Sequence, residues 1–229
     1  MICESIMNEI RIETQMRSGT HYLASALAQV YHYRPALFKD GAFVPLSDKE
    51  LSKGLYEKVK VENYDNGILY VNHYYHILPK DLYAERIKVL YLIGFPYDSF
   101  YSDGLVFSSK EYSVQPSSRN KGLKNYKFRY GSKEWNFLQP YMIKNACWLE
   151  ELIGDPAKLV VRYEDFFINF NNTIHAIEKH MGKFRCNFPV PKKNSERIYW
   201  SGKINYNIDD KGIKELSRIF EKSLKHFYI

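Results

Sequence analysis

Two short runs, Lys88-Val89-Leu90-Tyr91-Leu92-Ile93 and Lys158-Leu159-Val160-Val161-Arg162-Tyr163, constrain the fold more than any other feature of the chain. Each is nearly continuous in apolar residues and too short for a buried helix. A strand covered on both faces has this composition, and burial on both faces is the habit of parallel sheets. Around them, strand-like and helix-like stretches alternate. Ile10 to Met16 alternates as a strand does, and Tyr22 to Tyr31 is rich in Ala and Leu, as a helix is. Ile68 to Val71 is a short apolar strand, Pro79 to Ala84 opens a brief helix, and another short helix follows from Asp98. Glu134 to Ile153 is a helix ending near Gly154, and Phe170 to Met181 a helix closed by Gly182. Asp209 to Phe227 is a terminal amphipathic helix capped by Asp209 or Asp210. The alternation predicts an α/β fold: a three-layer sandwich around a central, mainly parallel sheet.

Three segments lack a clear period. Residues 33–60, punctuated by Pro35, Gly41, Pro45 and Gly54, read as irregular. Residues 108–133 are polar and Ser/Lys/Tyr-rich, which predicts a mobile surface loop. Residues 183–207 form a basic extended segment. No linker, repeat or low-complexity tract divides the 229 residues, so a single domain over 1–229 is expected.

A net charge of +7 calls for an anionic partner. The basic residues lie in short concentrations, Arg119–Lys133 and Lys183–Lys203, which suits a small anion in a cleft better than a duplex backbone. The 20 tyrosines supply flat surfaces for bases or sugars, or else a thick aromatic core. Cys3, Cys147 and Cys186 are too few and too far apart for a disulfide framework or a structural zinc site. With Glu4 near the start, no signal-like segment and no long apolar stretch, a cytoplasmic protein is expected.

The chemistry concentrates after the first strand, in Met16-Arg17-Ser18-Gly19-Thr20-His21, where a helix begins. Backbone N–H groups and the positive end of a helix converge at such a junction and attract a phosphate. Gly19 removes a Cβ that would hinder close approach, Ser18 and Thr20 bring hydroxyl donors, and Arg17 brings a charge able to bridge two oxygens. The Gly-Lys-Ser/Thr ending of a Walker A loop is missing, which speaks against magnesium-dependent ATP hydrolysis.

This turn is followed by a His ahead of Leu78-Pro79, and then by a Lys-Val-Leu-Tyr-Leu strand leading into Pro96-x-Asp98-x-x-x-Ser102. Together with Leu159-Val160-Val161-Arg162-Tyr163-Glu164-Asp165, that order resembles the sulfotransferase family, as a diverged, bacterial-type member with a P-loop-like turn. The resemblance spans about residues 10–229, with a diverged middle. It implies 3′-phosphoadenosine 5′-phosphosulfate as co-substrate, no metal, and transfer of a sulfuryl group to an acceptor hydroxyl. Arg17, Ser18, Gly19, Thr20 and His21 would grip the 5′-phosphosulfate, with Arg17 also steadying the leaving group. His73, at a strand's C-terminal end, is the candidate general base, with His76 in reserve. Ser102 falls where the family binds the 3′-phosphate. The Arg that accompanies it there is replaced by Gly94, so Arg197 and Lys203 are the candidate substitutes. Glu164 and Asp165 read as helix-capping and salt-bridging residues. The acceptor class that fits is a carbohydrate or glycolipid hydroxyl, with a phenol close behind. A nucleotide or nucleoside kinase-like phosphotransferase, a basic nucleic-acid-binding module and a member that binds without transferring are the competing readings, of which nucleic-acid binding is disfavoured.

Overall fold

The computed structural model describes residues 10–15, 19–47, 67–73, 88–101, 127–155, 158–182, 188–190 and 207–229. They fall into two compact units, between which the chain passes three times. The first comprises Met1–Ile93 with Pro156–Lys192, the second Gly94–Asp155 with Lys193–Ile229.

The first unit holds the sheet. Its strands are β1 (Ile10–Thr14), β2 (Arg34–Lys39), β3 (Ala42–Pro45), β4 (Ile68–His73), β5 (Lys88–Ile93) and β6 (Leu159–Arg162). Their spatial order is β3-β2-β4-β1-β5-β6, parallel throughout except for the antiparallel β2–β3 pair. The α/β class and mainly parallel sheet read from the sequence are therefore present.

Register explains which residues meet. Ile10, Ile12 and Thr14 lie level with Leu69, Val71 and His73 of β4, and with Lys88, Leu90 and Leu92 of β5. This face is apolar except at its two margins, Lys88 at one and Thr14 with His73 at the other. Helices α1 (Thr20–Tyr31), α4 (Asp165–Ile168) and α5 (Phe170–Met181) close it, with Leu23, Leu27, Phe166 and Ile177 in the shared core. Each such side chain taken out of water contributes about 1.5–3 kcal/mol. The opposite face carries Arg11 and Glu13, level with Tyr70 and Asn72. Alternation in β1 does not mark a solvated side: all five residues are buried. Arg11 Nε stands 2.9 Å from Glu13 Oε1, and Asn72 Nδ2 donates to Glu13 Oε2 at 2.9 Å, so the charges are paired where they are buried.

One expectation fails here. Residues 34–45, within the stretch read as irregular, form a β-hairpin. Its two-residue turn, Asp40-Gly41, has positive φ at both positions (52° and 86°), the geometry whose twist suits a hairpin. The prolines that suggested a break sit where a strand tolerates them. Pro35 precedes the β2–β3 ladder, and Pro45 ends the outer strand.

The second unit is helical: α2 over 96–101, α3 (Lys133–Glu151), α6 (Asp210–Ile219) and α7 (Glu221–Phe227). Ser132 caps α3 by accepting from the Trp135 N–H at 3.1 Å. Asp209, rather than Asp210, caps α6, accepting from the Gly212 N–H at 2.9 Å. The terminal helix expected as one piece is two, divided at Phe220, whose side chain is fully buried and stacks near Phe100 (5.6 Å between ring centroids). Of the segment expected as a loop, residues 127–132 are described. Phe128 there is fully buried against Trp135, and its N–H donates to the Asn207 carbonyl. The brief helix expected from Pro79 and most of the basic segment 183–207 lie outside the described residues.

Candidate functional site

Strands β1 and β4 run side by side and end together, which brings Thr14 level with His73. Parallel sheets present their ligand sites at this C-terminal margin. Gln15 prolongs β1 by donating its N–H to the Leu92 carbonyl (2.9 Å), and α1 opens five residues later at Thr20. The first intrahelical bond of α1 is Leu23 N–H to Gly19 C=O (3.1 Å), so the N–H groups of residues 20–22 have no acceptor within the helix. No acidic residue occupies that first turn, which leaves the positive helix end unopposed by a side chain of α1.

Gly19 is the N-cap, with φ 83°. The reason for a glycine here differs from the one the sequence suggests. A Cβ at this position would run into the aromatic ring of Tyr163, so glycine is demanded by the protein's own packing as well as by the left-handed backbone. Tyr163 follows β6, held there by its N–H to Ile93 C=O bond (2.8 Å), and lies edge-on to Tyr22 and Phe167. Its flanking residues behave as the sequence predicts for Asp165: Arg162 Nε donates to Asp165 Oδ2 at 2.8 Å.

Thr20 is buried and its hydroxyl points inward, donating to Thr14 Oγ1 at 3.1 Å. What Thr20 offers an anion in this arrangement is its backbone N–H; the expected hydroxyl contact is used within the protein. Thr14 Oγ1 in turn lies 2.8 Å from His73 Nδ1 and donates to the Asn72 carbonyl at 3.1 Å. His73 is half-buried, His21 likewise. Tyr22 lies buried in the first turn of α1. Burial first, and the neighbouring Tyr163 second, push its phenol well above the ordinary range, so it stays protonated and donates to the Pro189 carbonyl at 2.9 Å.

No family model matches the sequence, and no curated protein matches it. Among solved structures, the chain is similar to mouse sulfotransferase SULT7A1 complexed with PAP. The TM-score is 0.48 at 15% identity, over 95% of this chain and 64% of that one, so the chain spans less than two thirds of the mouse protein. It is similar also to retinol dehydratase in a complex with retinol and PAP, with TM-score 0.48, 15% identity, and 97% and 82% of the two chains covered. These are likenesses of shape at low identity.

Of the predicted site residues, Gly19, Thr20, His21 and His73 are thus gathered at the ends of β1 and β4. Arg17, Ser18, Ser102, Arg197, Lys203 and the reserve His76 lie outside the described residues. Gly94 directly follows β5 and brings no side chain to that position. Thr14, Asn72 and Tyr163 were not singled out beforehand. Thr14 shares the parity of Ile10 and Ile12, which places it on the face of α1, but its meeting with His73 depends on the β1–β4 register, and sequence does not supply that. No helix among the described residues is long and apolar enough to cross a membrane.

Proposed function

We propose that this chain is a sulfotransferase acting on 3′-phosphoadenosine 5′-phosphosulfate and an acceptor hydroxyl, that of a carbohydrate or glycolipid, with all 229 residues serving as one functional domain. One observation carries the reading: the candidate base His73 is joined through Thr14 to Thr20, the first residue of the helix whose N-terminus would take the anion. Base and anion seat are therefore one hydrogen-bonded assembly. The donor set fits the group: helix-end N–H groups, a glycine at positive φ and no acidic residue in the first turn.

The nucleotide, when bound, supplies a sulfuryl group on a phosphate leaving group. The protein's share is placement and charge. Backbone N–H groups of residues 20–22 orient the phosphate, the Arg17 guanidinium offsets the charge that grows on the departing oxygen, and His73 takes the acceptor's proton as its oxygen attacks. Tyr163 fills the space beside Gly19 and so requires the smallest residue at the N-cap of α1.

Calorimetric titration with 3′-phosphoadenosine 5′-phosphate tests the reading. Binding in the micromolar range is expected, weakened about 10- to 100-fold in Arg17→Ala by loss of a charged hydrogen bond of about 1.5–3 kcal/mol. His73→Ala should retain that binding and lose turnover by about 10²- to 10⁴-fold. Absence of binding refutes the proposal, and an equal response to ATP with magnesium replaces it with the phosphotransferase reading.

A further inference from the structure

Thr14 is fully buried and its hydroxyl oxygen has three polar neighbours: the Asn72 carbonyl at 3.1 Å, Thr20 Oγ1 at 3.1 Å and His73 Nδ1 at 2.8 Å. A hydroxyl has one proton to give and two lone pairs to receive with. The Asn72 carbonyl can only accept, so the Thr14 proton belongs to it. Thr20 and His73 must then both donate to Thr14. The alternative, Thr14 donating to Nδ1, would give up the hydroxyl's bond to the Asn72 carbonyl and set two oxygens against each other at 3.1 Å.

We infer that Thr14 is a positioning residue that holds the neutral His73 ring with its proton on Nδ1, so that Nε2 carries the lone pair that accepts the substrate's proton. The inference rests on the proposed role of His73 as base, and it goes further by fixing which nitrogen reacts. When Nε2 gains a proton, Nδ1–H still donates to Thr14, so the ring need not turn during the transfer. Because Thr20 completes the valence of Thr14, the orientation of the base is built into the same turn that would hold the donor. The register pair Thr14–His73 makes this possible: the ring is tied to the strand beside it and not to a mobile side chain.

Long-range proton–nitrogen correlation spectra of the 15N-labelled full chain, recorded where the imidazole is neutral, read the tautomer directly. His73→Asn identifies the His73 signals among those of the seven histidines. The wild type and Thr14→Ser should carry the proton on Nδ1. Thr14→Val, which keeps the shape and removes the hydroxyl, should move a substantial fraction of it to Nε2. With the phosphosulfate donor, Thr14→Val should lower kcat by about 10²-fold, with the donor KM changed less than about threefold, and Thr14→Ser should restore most of the rate. A proton on Nε2 in the wild type, or a tautomer unaltered in Thr14→Val, overturns the inference. A wild type with the Nδ1 proton that fails to bind 3′-phosphoadenosine 5′-phosphate upholds it and refutes the donor reading instead.

Discussion

Replacing Gly19 by Ala separates two explanations for that glycine. If the residue existed only to let a phosphate approach, the alanine variant would fold normally and bind anions poorly. The structure predicts otherwise. A backbone at φ 83° costs an L-residue about 1–2 kcal/mol. The added methyl also meets the Tyr163 ring, and displacing a packed ring costs about 1–3 kcal/mol more. The sum, about 2–5 kcal/mol, should lower Tm by about 4–20 °C for a chain of this size, without any ligand present. Urea unfolding followed by far-ultraviolet circular dichroism measures the free-energy change, and scanning calorimetry the temperature. Gly19→Asn, better suited to the left-handed region, should recover the backbone part and retain the collision. The double variant with Tyr163→Ala should lose less than the sum of the single losses, by about 1–3 kcal/mol. A loss below about 1 kcal/mol in Gly19→Ala, or strict additivity with Tyr163→Ala, would refute the reasoning.

Burial pushes the Glu13 carboxyl above its ordinary range, against the opposing pull of Arg11 and the Asn72 amide. A carboxyl raised in the folded state contributes stability that is complete below the unfolded value and is lost as pH rises through the folded one. Wild-type stability should therefore fall by the Glu13 share as pH rises above about 4.5, whereas Glu13→Gln, which takes the carboxylate from the buried Arg11 guanidinium at every pH, should lack that fall, in parallel urea titrations. Arg11→Met strands the buried carboxylate and should cost about 3–5 kcal/mol at neutral pH in the same assay. Lys88 Nζ donates to the carbonyls of His180 (3.0 Å) and Met181 (3.1 Å) at the end of α5, so Lys88→Met should lose about 1.5–3 kcal/mol by the same urea measurement. Asp209 caps α6 and also accepts from the Tyr130 N–H (3.1 Å), so Asp209→Ala should lose about 0.5–2 kcal/mol and speed amide exchange at the start of α6.

The parts of the fold legible in the sequence are those governed by local periodicity. β5 is present over the run Lys88–Ile93, α5 over Phe170–Met181, and α1 begins two residues ahead of its apolar pattern. The hairpin at 34–45 was hidden because its prolines mimic a break, while the decisive Asp40-Gly41 turn is only two residues long. The division at Phe220 was hidden because an aromatic residue fits an amphipathic period equally well in one helix or between two. At the site, Gly19 and His73 were legible as residue types at a strand's end. The bond of Thr14 to His73 and the seat of Tyr163 beside Gly19 join positions 59 and 144 residues apart, and only the order of the strands brings such pairs together.

The ionic pair inside β1 also limits which register that strand can take. Sliding β1 by one residue against β4 would turn Arg11 and Glu13 toward the layer of Leu69, Val71 and Leu90, and carry Ile10 and Ile12 to the polar side. A strand of isoleucine and valine alone would tolerate that slip with little loss. Here the pair would travel with the strand into an oily layer and leave the Asn72 amide behind, at a cost of several kcal/mol. The central strand thus works as a key with one orientation, and it aligns the ends of β1 and β4, where Thr14 and His73 must meet.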